Sequence, residues 1–154
     1  TQLIGKAIPV SASRKTFEDG GEILLDNFHG FTRTAMPKGE QHKVMTLQEK
    51  IDLVKTLQER CGKIRSASSN LHHQALIADG GSVIGAITSA LGGPWDFSGI
   101  KLVLNAGGEV AYLRRGKISF EAVEDPLTAD IAISANTKST LRRLMNVVIG
   151  ITLE

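Results

Sequence analysis

The stretch GGPWDFSGIKLVLNAGGEV, residues 92–110, leaves a chain few ways to fold. An aspartate stands at the mouth of an apolar run, directly after Pro94 and Trp95. The run, with Ile100, Leu102, Val103 and Leu104, ends at once on Ala106-Gly107-Gly108. The pattern predicts a helix over Trp95–Ala106, closely followed by a strand over Glu109–Leu113. With so little polar face, that helix is expected to be buried on several sides.

The rest of the chain repeats this alternation. Thr46 and Glu49 have the spacing of a capping box, in which hydroxyl and carboxylate satisfy each other's orphan amides. The helix they open is expected to pack through Leu47, Ile51, Val54 and Leu57 and to end at Gly62. Arg65–Ala78 reads as a short extended piece turning into a helix, Ser82–Thr88 as a strand and Asp130–Ser134 as another. Thr137–Val148 closes the chain as a helix through Leu141, Leu144, Met145 and Val148. Ile8–Ser13 alternates as a strand does. Thr16–Phe28 fits neither template, because Gly20–Gly21 would break a helix there, and Met36–Lys43 has the composition of an exposed loop. Strands alternating with helices make the class α/β, with mixed strands packed between helices. A length of 154 residues suits one domain.

Composition removes several functions. The formal charge is only +2, with Lys and Arg scattered among acids, and one Trp and one Tyr offer few stacking platforms. Nucleic acid is therefore not an expected partner. No apolar run approaches the roughly 20 residues that span a bilayer, so neither is a membrane. The N-terminus shows no charged-then-apolar signal pattern. The single Cys61 forms no internal disulfide, which points to a reducing, cytoplasmic setting.

Candidate chemistry is sparse. Asp96 has two readings: a cap accepting hydrogen bonds from the first amides of its helix, or a metal ligand at a terminus that also favours anions. His72 and His73 are adjacent, so on a helix they point about 100° apart and do not readily chelate one ion; a surface pair is expected. His29 and His42 lack partners at metal-ligand spacing. Ser66, Ser68, Ser69 and Asn70 crowd a helix start, as capping residues do. Cys61 is expected to be inert. Thr1 would permit an N-terminal threonine nucleophile, but position alone carries no geometry.

Pro94-Trp95-Asp96 with Gly99, the apolar helix and Ala106-Gly107-Gly108-Glu109-Val110 together resemble the Trp-Asp…Ala-Gly-Gly signature of the inositol monophosphatase family. That family comprises magnesium-dependent, often lithium-sensitive phosphatases of sugar and inositol phosphates, related to fructose-1,6-bisphosphatase. Arg65, Ser69, Ala78 and Gly80 resemble its Arg-x-x-Gly-Ser segment and the helix that follows. Ala129–Met145 resembles its closing strand, Ala-Asn turn and last helix, and Gly5–Ser11 the strand opening its second half. The sequence departs from the pattern at Ser68, where Gly is usual, and at Asn105, where Glu is usual. The step from Asp96 to Ala-Gly-Gly is one residue short. A substrate-facing carboxylate of the family falls near Thr88.

The resemblance implies that residues 1–154 form a single domain equivalent to the family's C-terminal lobe, with the N-terminal lobe absent. It implies Mg2+ as cofactor, Asp96 as catalytic metal ligand, and Ser69, Asn70 and Thr88 as a substrate wall. The family's Asp-Pro-Ile-Asp-Gly-Thr motif, which supplies most of its ligands, does not occur in this sequence. The function implied is magnesium-dependent hydrolysis of a sugar or inositol phosphate, with one ligand and part of the wall supplied here. The missing lobe, the small phosphorylated substrate and a second copy in a homodimer are the partners to consider. Because one carboxylate cannot organise phosphoryl hydrolysis, the chain alone is expected to be inactive. The alternative is a non-catalytic domain that keeps the fold for binding or assembly.

Overall fold

The capping box forms as its spacing predicts. Thr46 Oγ1 accepts from the Glu49 amide at 3.2 Å, and Glu49 Oε2 accepts from the Thr46 amide at 2.8 Å. Helix α1 (Leu47–Cys61) follows and stops at Gly62, whose φ of 85° few other residues tolerate. The computed structural model describes residues 10–25, 45–66, 70–89 and 94–153, with the side chains of 70 and 94–96 outside that description.

Six strands form one sheet in the order β2-β1-β3-β6-β4-β5. They are β1 (Glu22–Leu25), β2 (Lys63–Ser66), β3 (Val83–Ser89), β4 (Glu109–Arg115), β5 (Phe120–Val123) and β6 (Ile131–Ala135). β1 runs parallel to both β2 and β3, whereas β6 lies antiparallel between β3 and β4, and β5 pairs antiparallel with β4. Helices α2 (Asn70–Ala78) and α3 (Pro94–Asn105) cover one face, over Leu24, Val83 and Ala86. α1 and α4 (Lys138–Ile149) cover the other, over Ile23, Leu25, Ile131 and Ile133. The class is α/β with a mixed sheet between helices, as the alternation of patterns requires. No helix among the described residues is long and apolar enough to cross a membrane.

Four expectations need correction. Val10–Ser13 is not a strand; its amides do not join a ladder, and Ala12 instead donates to the Ala106 carbonyl at 2.9 Å. Ile8 and Pro9 lie outside the described residues, as do the loop at 36–43, His29, His42 and Thr1. α1 buries Glu49, Leu53, Leu57 and Cys61, leaving Leu47 at 75% exposure and Ile51 at 49%. The helix turns its Leu53, Leu57 and Cys61 row to the sheet, which also carries Glu49 inward to Arg115. In α3, Ile100 and Val103 are buried but Leu102 and Leu104 are 42% and 46% exposed, so the helix packs on one side. Last, His72 and His73 are not a surface pair: His72 is exposed and His73 fully buried, as adjacent helical positions 100° apart permit.

Candidate functional site

The topology sets the edge at which a ligand crevice is expected. β1 hands its chain to α1 on one face of the sheet, while its neighbours β2 and β3 hand theirs to α2 and α3 on the opposite face. The connections diverge at the carboxyl end of β1, and ligands of open α/β sheets bind outside such a divergence. α2 begins four residues after Ser66 and α3 five residues after Ser89, so both helix N-termini emerge at this same edge. Each presents unpaired amides and the positive end of its dipole.

Asp96 is the third residue of α3, in its first turn rather than at the cap; Pro94 takes the first helical position, where its missing N–H costs nothing. An acid in that turn is favoured by the dipole. Asn70 is the first residue of α2, so the two candidate residues stand at adjacent helix starts along one edge. Ser69 and Ser68 lie outside the described residues. Thr88 is one residue from the end of β3, opposite Ala132 of β6, and is 1% exposed. Two residues on from Ala86, it faces the α2–α3 layer. Arg65, the first residue of the family-like segment, pairs with Glu22 across β2 and β1.

A second polar cluster, not foreseen from the sequence, occupies the same edge on the other side of β6. β4 ends there because it is antiparallel to β6, which begins there. The Arg115 amide donates to Asp130 Oδ2 at 2.8 Å. Its guanidinium grips Glu49 with both terminal nitrogens, Nη1 at 3.1 Å, while stacking 5.7 Å from the centre of Phe120. The capping box was the visible half of this cluster. Nothing local announces a partner 66 residues away.

Metal binding finds limited support in the donors themselves. Among the described residues no three His, Cys, Asp or Glu side chains come together as a metal centre. Magnesium takes six oxygens, commonly one or two carboxylates with water and substrate phosphate. Asp96 can offer one, so the described residues do not amount to a magnesium site. Cys61 is a free, buried thiol; burial pushes its pKa up, away from the reactive thiolate, which fits an inert role.

No family model matches the sequence, and a search of curated proteins finds no match. Solved structures do match. An inositol monophosphatase from Anabaena (Nostoc) sp. PCC 7120 superposes with a TM-score of 0.60 at 17% identity, over 93% of this chain and 50% of that one. The Thermotoga maritima IMPase gives 0.56 at 19%, over 94% and 47%. An inositol monophosphatase from Zymomonas mobilis gives 0.57 at 12%, over 92% and 46%. The fold is that of half an inositol monophosphatase. The chain spans about half the length of the structures it matches, and at such identities the likeness shows the fold alone.

Proposed function

We propose that this chain is the C-terminal lobe of a magnesium-dependent phosphomonoesterase acting on a sugar or inositol phosphate. Asp96 contributes one metal ligand, and Ser69, Asn70 and Thr88 contribute part of the substrate wall. The observation that carries this reading is the likeness of nearly the whole chain to half of three inositol monophosphatases. The Trp95-Asp96 turn adds to it by starting α3 at the crevice edge. Helix N-termini suit a phosphate, and hydroxyl and amide groups suit a polyol. The proposal assigns the remaining ligands to a second lobe, since one carboxylate leaves most of magnesium's six oxygen positions to be filled.

Thr88 favours a second reading. It is uncharged and 1% exposed where the family carries a substrate-facing carboxylate, as a domain kept for binding or assembly would tolerate. One experiment separates the two. The 154-residue chain is assayed on inositol and sugar phosphates with Mg2+, alone and then with an inositol-monophosphatase N-terminal lobe added in trans. Turnover only in the mixture, and its loss in Asp96→Asn, supports the phosphatase lobe. Asn keeps the side chain's size while removing the ligand charge. A mixture that binds but never turns over selects the binding domain, and chelator-resistant turnover by the chain alone overturns both.

A further inference from the structure

We infer that Gly99 and Gln74 are positioning residues for the crevice, their contact setting how far apart the first turns of α2 and α3 stand. This rests on the phosphatase-lobe reading only for its consequence on turnover; the contact itself is a property of the fold. A Cβ placed on Gly99 would lie 2.5 Å from Gln74 Oε1, 3.0 Å from Gln74 Cβ and 3.1 Å from Leu71 Cδ1. Non-bonded carbon atoms rest at about 3.5–4.0 Å, so a side chain at 99 must push either Gln74 or the whole of α2 aside by roughly 0.5 Å. Gln74 cannot easily swing aside, since it is 1% exposed. Its Oε1 accepts no hydrogen bond from any described residue, so its place is set by packing against α3.

Glycine in a helix interior is a penalty relative to alanine, and Gly99 does not need it for its backbone, which lies outside the left-handed region. The close crossing is what the glycine provides. Asn70 stands four residues before Gln74, and Pro94 five before Gly99, about one turn from the contact in each helix. A displacement at the crossing is therefore carried to both helix starts. Misplacing a catalytic group by about 1 Å can cost 100-fold in rate.

The test uses the 154-residue chain with an inositol-monophosphatase N-terminal lobe added in trans, the mixture in which the proposed function is assayed. Gly99→Ala is expected to lower kcat about 10- to 100-fold with the circular dichroism retained and the melting temperature lowered by only a few degrees. Adding Gln74→Ala removes the 2.5 Å clash but keeps the 3.0 Å contact with Gln74 Cβ, and is expected to restore part of kcat. A structure of Gly99→Ala in the 154-residue chain is expected to show a wider separation of Asn70 and Pro94. The inference is overturned if the helix starts have not moved, if Gly99→Ala is fully active while Asp96→Asn is dead, or if the double variant is no better than the single. Should Gly99→Ala fail to fold, the double variant must fold and work, or the inference fails. Asp96→Asn with undiminished turnover would instead remove the phosphatase reading and leave the crossing to be judged on the separation alone.

Discussion

Glu49 shows how one side chain can serve two levels of structure. It closes the capping box of α1 and is also the buried counter-charge of Arg115, at 1% exposure against 10%. Its two roles separate by substitution, because Gln also serves at the third position of a capping box but carries no charge. Thr46→Ala, which removes only the cap, should cost about 1 kcal/mol. Glu49→Gln leaves the guanidinium without its counter-charge in a largely buried place and should cost about 3 kcal/mol or more. Replacing both partners, as Glu49→Met with Arg115→Met, should cost less than Glu49→Gln alone, since no orphan charge remains. Urea unfolding of the four chains measures this. A cost near zero for Glu49→Gln would mean that the ion pair contributes nothing to stability.

Among the elements, α1 and α3 place apolar residues both inward and outward, so periodicity alone could not orient them. Val103→Ala in α3 should cost about 2–3 kcal/mol through lost burial and the cavity left behind, and Leu53→Ala in α1 about 2–4. Leu102→Ala and Ile51→Ala, on the outer sides, should stay within about 0.5 kcal/mol. Comparable losses at Leu102 and Val103 would put α3 in a different orientation. The strongest local signals were legible. The box at Thr46 and Glu49 gave α1, the paired glycines gave the end of α3, and the 3.6-residue stripe through Leu141, Leu144 and Val148 gave α4. β1 and β5, four residues each, escaped, because so short a run has no period to read and Gly20–Gly21 masked the start of β1. The site was half legible. The Trp-Asp motif pointed to Asp96 at one helix start and the crowded Ser and Asn residues to Asn70 at another, but the convergence of these helices depends on strand order, and the grip of Arg115 on Glu49 depends on contacts distant in sequence.

At the scale of the whole molecule, the two edges of the sheet have different work. The starts of α2 and α3 stand at the carboxyl ends of the parallel strands, whereas the opposite edge is tied shut by residues 10–15. Asn136, just past β6, donates from Nδ2 to the carbonyls of Ser13 and Lys15, each at 2.9 Å, and lies 3.2 Å from Ser13 Oγ. Ala12 adds its bond to Ala106 at the end of α3. Gly80 lets the strap pass, since at φ +76° a Cβ there would lie 2.4 Å from the Ser11 carbonyl. One side chain therefore joins the amino-terminal segment to the β6–α4 junction, and α2 and α3 meet the same segment at their C-terminal ends. Asn136→Ala removes the donor and leaves two carbonyls to find water, at a cost of about 1–3 kcal/mol. The loosening should be local at first, so hydrogen exchange at the Ala12 amide should rise before that at the β3 and β6 amides. On the phosphatase-lobe proposal, turnover in the mixture with an N-terminal lobe should hold at temperatures well below melting, because Asp96 and Asn70 stand at the far edge. Unchanged exchange at Ala12 and an unchanged melting temperature would show that residues 10–15 are held by something other than Asn136. A loss of that turnover without loss of stability would mean that the two edges are coupled through α2 and α3.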